Sequence, residues 1–173
     1  MIMGRSDDQL LLPVSPWFIW LSLLVALVLN LIPLGRLGAM PDFLALVLVF
    51  WNLHQPRRVG VGVAFVFGLA MDVNAAALLG QHALAYSLLS YFAATVHRRL
   101  SRFSPAAQAV QILPLWYAAQ AVSVLVQMVA GHAFPGWQIL LAPIFASLLW
   151  PLACALLLAP QRRAPNPDMN RPL

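Results

Sequence analysis

Residues 59–91 read VGVGVAFVFGLAMDVNAAALLGQHALAYSLLSY. The stretch predicts two membrane-spanning helices joined by a short outer turn, with one acid, Asp72, deep in the apolar run. The first helix carries Gly60, Ala64, Gly68, Asp72 and Ala76 at a spacing of four. Four residues advance a helix by about 400°, so these positions form one slowly winding stripe. Small residues on a stripe let another helix backbone come close, which in lipid is a main source of helix association. The second helix answers with Ala83, Ser87, Ser90 and Ala94, a heptad-like seam whose hydroxyls are available to bond across helices. The two seams are expected to face each other or a common partner helix.

Composition widens this reading to the whole chain. Of 173 residues, 62% are apolar and 9% charged, against about 25% charged in ordinary soluble domains. The expected class is an all-α, polytopic membrane protein, one bundle over residues 1–159 followed by a polar, proline-rich tail over 160–173. That tail, PQRRAPNPDMNRPL, is expected to be disordered. The charged residues are ten arginines and five aspartates. The arginines sit in pairs at helix ends without interleaved aromatics, so the basic balance does not indicate nucleic acid. Cys154, the single cysteine, excludes an intramolecular disulfide and reads as a small core residue.

Six helices are expected, over residues 16–33, 41–56, 59–77, 79–97, 105–131 and 137–158. Trp17 and Trp20 mark an interface on the first, and Trp51 and His54 the far end of the second. Pro41 and Asp42 suit the first turn of the second helix. That helix is short against the about 20 residues a span needs. Pro114 is the expected place of a kink in the fifth helix, and Pro143 and Pro151 lie inside the sixth. Six spans put Arg5, Arg57, Arg58, Arg98, Arg99, Arg102, Arg162, Arg163 and Arg171 on one side and Arg36 on the other. By the positive-inside rule both termini are cytoplasmic.

Asp72 is the first candidate for function. A carboxyl at membrane depth costs about 2.5–3.5 kcal/mol on insertion scales, and such residues mark function by default. The competing reading is structural: Asp72 and Asn74 cap a turn near the outer surface. Asn30, Arg36, Asp42, Gln81, His82, Gln127 and His132 fall near the same helix ends, which predicts an outward-facing polar cluster. His82 reads as a hydrogen-bonding interface residue rather than a metal ligand. Gln120, Ser123 and Gln127 share a face of the fifth helix and read as bundle-stabilising polar groups. No G-x-S-x-G, H-E-x-x-H or phosphate loop occurs, so no enzyme, cofactor or metal site is expected.

The series Pro41-Asp-Phe, Trp51, Pro56, Gly60, Gly68-Leu-Ala-Met-Asp72, Leu79-Gly80-Gln-His-Ala-Leu-Ala-Tyr86 and Tyr91 resembles the rod-shape-determining MreD family. The most specific piece is Gly-x-x-x-Asp followed after a short gap by Leu-Gly and an Ala/Leu/Tyr helix. The resemblance implies a non-enzymatic, multi-pass inner-membrane subunit of the bacterial cell-elongation machinery. It implies MreC as direct partner, and through it MreB filaments, the polymerase RodA and its partner transpeptidase. The family is also similar in fold to the S components of vitamin transporters. A small-molecule-binding transporter component is therefore the alternative reading. Gly60, Ala64, Gly68, Asp72, Gly80, His82, Ala83, Ser87 and Ser90 are the expected partner-binding or structural residues. Membrane lipids are expected to meet the arginine-rich face.

Overall fold

The computed structural model describes residues 15–32, 41–75 and 77–161. Arg5, Arg36, Ala76, Arg162, Arg163, Arg171 and most of the predicted tail lie outside them. The described residues are all-helical: α1 Pro16–Leu31, α2 Phe43–His54, α3 Val61–Asn74, α4 Gln81–Leu100, α5 Pro105–Val129 and α6 Leu141–Leu158, with 3-10 turns flanking α6. Two stretches, Pro105–Val129 and Trp137–Gln161, are long and apolar enough to cross a membrane.

The helix starts follow from local chemistry. Ser15 and Ser104 accept the first-turn N–H groups of Phe18 and Ala107, and each is followed by proline at the first helical position. There the missing proline N–H costs nothing. α2 begins two residues later than expected, so Asp42 is its N-cap rather than part of its first turn, and accepts the Ala45 N–H at 2.9 Å. The sixth helix also differs from expectation. Residues 137–140 form a 3-10 turn, and the regular helix begins at Leu141, which places Pro143 in its first turn. Further inside, a proline ring would clash with a carbonyl one turn back. α5 continues through Pro114.

The packing order is α2, α4, α5, α6 around a ring, with α1 laid on α2 and α3 laid on α4. α2 is the centre. Residues 44–46 and 48–53 are all buried, as befits a helix that is apolar around its whole circumference. Its 12 residues rise about 18 Å, short of an about 30 Å hydrocarbon layer. Neighbours on several sides cover it, so its length need not match lipid. Trp51 is correspondingly not an interface anchor. It is 0% exposed, donates its indole N–H to Ser22 at 2.8 Å, and meets Phe18 and Phe50 edge-on. Trp17, by contrast, is 84% exposed.

The outward faces are apolar. Leu148, Leu152 and Leu156 stand exposed at successive turns of α6, as do Leu21, Leu24, Val25 and Val28 on α1. A water-soluble monomer rarely shows such continuous apolar surface. Arg57, Arg58, Arg98, Arg99 and Arg102, all the arginines among the described residues, sit where α2 and α4 finish and α3 and α5 begin. The opposite end, where α2, α4 and α6 start, carries Asp42 and Asp72.

One buried polar joint escaped the sequence reading. Gln108 donates its amide N–H groups to the carbonyls of Leu100 (3.2 Å) and Phe103 (3.0 Å) and accepts the Trp150 indole N–H at 3.1 Å. One side chain thereby ties the α4–α5 turn to α6. Cys154 is buried in the same core.

Candidate functional site

The site grows from a close contact between α3 and α4. A Cβ placed on Gly68 would lie 2.4 Å from the Ala83 Cα, 2.6 Å from the Ala83 nitrogen and 2.8 Å from the His82 carbonyl carbon. All three are backbone atoms, so α4 lies directly on the α3 backbone, and only glycine fits. Ala64, one turn earlier, is also buried. The two small-residue seams therefore meet each other across Gly68 and Ala83. Gly60 and Gly62 are different: a Cβ on Gly60 would meet only the Pro56 carbonyl oxygen, at 3.9 Å, and one on Gly62 nothing within 4 Å.

Close approach at Gly68 brings Asp72, one turn on, under the start of α4. The N-cap of α4 is Gly80, at φ 104°, in the left-handed region where a side chain is disfavoured. Gly80 has no side chain with which to cap. Asp72 supplies the missing carboxylate from the neighbouring helix. Its Oδ2 accepts the N–H groups of Gly80 (2.8 Å) and Ala83 (3.3 Å). Its Oδ1 accepts the His82 N–H (2.7 Å) and lies 2.8 Å from the His82 Nδ1. The Gln81 N–H goes to the Leu78 carbonyl at 3.0 Å. The unpaired donors that open any helix are thus all satisfied, three of them by Asp72. A carboxylate against a helix N-terminus is also favoured by the helix dipole. Asp72 is 0% exposed, so these bonds stand in for water. The structural reading from sequence has Asp72 and Asn74 cap a turn near the outer surface; the Asp72 side chain does so by bonding the N-terminus of the helix that follows the turn.

A second carboxylate does related work nearby. Asp42 caps α2, accepts the Asn30 amide at 2.6 Å through Oδ1, and accepts the Tyr86 hydroxyl through Oδ2. Asn30 in turn accepts the Phe43 N–H at 3.1 Å. The His82 and Tyr86 rings, one turn apart on α4, meet edge-on at 6.0 Å. Tyr86 thus links the α2 cap to the α4 cap. Its role was legible in principle, because a phenol buried in an apolar helix needs a partner. Tyr86→Phe is expected to lower stability by about 1.5–3 kcal/mol, the range for a hydrogen bond to a charged group. The shift in thermal unfolding midpoint checks it.

Beside these caps lies a cavity of about 220 Å³ lined by Asp42, Gln81, His82, Tyr86, Trp116, Gln120, Ser123 and Gln127 among others. A wider recess of about 530 Å³ shares Gln81 and Gln127 and adds His132. Most of the predicted polar cluster is therefore together at one end of the bundle; Arg36 lies outside the described residues. Ser87 and Ser90 do not bond across the seam: neither hydroxyl has a partner among the described residues. Gln120, Ser123 and Gln127 make no side-chain bond to another helix among the described residues either. No group of three metal-ligating side chains occurs among the described residues.

The joint accounts physically for Gly68, Asp72, Gly80 and Ala83 standing at their spacing. The family described as rod shape-determining protein MreD matches residues 13–159. This chain belongs to the MreD family. A rod shape-determining protein MreD of Haemophilus influenzae is 34% identical over 138 residues, covering 78% of this chain and 85% of that relative. No solved structure matches the chain. For this member of the MreD family, the α3–α4 joint is the centre of the described polar architecture.

Proposed function

We propose that this chain is a non-enzymatic, multi-pass subunit of the bacterial inner membrane that maintains rod shape by docking MreC. In this reading the pair joins MreB filaments in the cytoplasm to RodA and its partner transpeptidase. Membership in the rod shape-determining MreD family is the observation that carries it. The apolar outer faces and the gathering of Arg57, Arg58, Arg98, Arg99 and Arg102 at one end support six spans with both termini cytoplasmic. That end also offers positive charge to anionic lipid headgroups.

The proposed site residues divide by position. Ala64, Gly68, Asp72, Gly80, His82 and Ala83 hold α3 to α4, and with Ser87 and Ser90 they set the shape presented to MreC. A companion helix cannot lie at Gly68 without displacing α4. Gly60, at the open end of the stripe, is where it can come near.

Depletion of the protein in a rod-shaped host is the test, with rounding of the cells as the expected result. Wild-type protein should restore rods and co-purify with MreC. Gly68→Leu should insert in the membrane but fail in both respects. Cells that stay rod-shaped on depletion, or full MreC recovery with Gly68→Leu, would sink the proposal.

A further inference from the structure

We propose that the cavity between α2, α4, α5 and α6 binds a small neutral molecule rich in hydroxyl or amide groups. The inference does not rest on the MreC reading, since it comes from which polar groups in the bundle are left without partners.

Asp72 and Asp42 are saturated by their caps. Several other polar side chains on the cavity wall are not. Gln81 is only 3% exposed, yet its side-chain amide has no hydrogen-bond partner among the described residues. Gln120, Ser123 and Gln127, half-buried, line the same cavity from successive turns of α5, and their side chains likewise have none. A buried polar group left unpaired costs about 1–3 kcal/mol. Three amides and a hydroxyl converging from two helices therefore form a set of donors and acceptors aimed at one shared occupant. The cavity's about 220 Å³ is several times the about 30 Å³ share of one water.

The lining also selects by charge. It holds no arginine or lysine, and its histidine, His82, already lies against the Asp72 carboxylate at 2.8 Å, so an anion would find no free counter-charge. Its carboxylate, Asp42, is already engaged by Asn30, Ala45 and Tyr86, so a cation is not specifically called for. Burying an unpaired charge is far costlier than burying a hydrogen-bonded neutral group. Leu89 and the Trp116 ring supply an apolar wall for the C–H face of such a ligand, and the buried Trp116 indole N–H has no partner among the described residues. Gln81 and Gln127 also stand in the wall of the wider recess, beside Leu78 and His132.

The test uses the full chain in lipid nanodiscs, titrated calorimetrically with D-glucose, N-acetylglucosamine and N-acetylalaninamide, and with glucose 6-phosphate as the anionic counterpart. At about 0.3 kcal/mol per non-hydrogen atom, a ligand of about twelve such atoms binds in the millimolar range. Titration therefore runs to on the order of 100 mM. At least one neutral probe should saturate, and the phosphate should not. The double variant Gln120→Leu, Gln127→Leu should weaken that binding tenfold or more. Should it not remain monodisperse, Ser123→Ala should weaken it about threefold, the loss of one hydrogen bond. Saturation by none of the neutral probes, equal binding of glucose 6-phosphate, or unchanged affinity in the monodisperse variants would each overturn the proposal.

Discussion

Gly68→Ala is expected to destabilise the protein even though it adds a single methyl group. The new Cβ would sit 2.4 Å from the Ala83 Cα, and no side-chain rotation can relieve a clash with backbone. Overpacking a tight core costs about 1–3 kcal/mol, occasionally more, and here the only relief is to move α4 bodily. Moving α4 also lengthens the bonds from Asp72 to Gly80, His82 and Ala83, so the loss should reach the top of that range. Gly68→Leu should go further and prevent α3 and α4 from packing. Gly62→Ala is the control. It lies on the same helix with nothing within 4 Å of its added carbon, and alanine is favoured over glycine in a helix by about 1 kcal/mol. Thermal unfolding followed by the monodisperse fraction should show Gly68→Ala falling and Gly62→Ala holding or rising. Equal midpoints for the two variants would refute the close approach.

Asp72→Ala should have the second-largest effect, and its signature is local. Removing the carboxylate strands the N–H groups of Gly80, His82 and Ala83 in a buried place. Loss of an ordinary cap costs about 0.5–2 kcal/mol. The buried setting adds the penalty for unpaired donors, about 1–3 kcal/mol each before relaxation. Asp72→Asn should fall between the wild type and alanine. An amide has one accepting oxygen, so it serves the donors of one carboxylate oxygen and turns its own N–H₂ towards the other pair. Hydrogen exchange at residues 80–83 separates the three proteins. Protection should drop most for alanine, partly for asparagine, and little at Gln108 in the distant α4–α5 joint. Unchanged exchange at 80–83 in Asp72→Ala would remove the capping role.

Much of this architecture is written locally. The apolar runs and the punctuation by Pro41, Pro56, Gly80 and Ser104-Pro105 mark where helices start and stop to within a few residues. The close approach at Gly68 follows from the four-residue spacing, because only small side chains permit it. The tertiary structure decided what local pattern does not carry. It made α2, the shortest helix, the central one, and it turned Trp51 inward. It joined Asp72 to an N-terminus eight residues ahead, Asp42 to Tyr86 across 44 positions, and Gln108 to Trp150 across 42. The physical reason is the solvent. In water, the apolar face of a helix points to the core and the polar face outward, so periodicity reports facing. In lipid, both faces are apolar, and the pattern loses that information. What remains in the chain is the size of side chains and the places of its few polar groups, and only the packed bundle pairs those groups with one another.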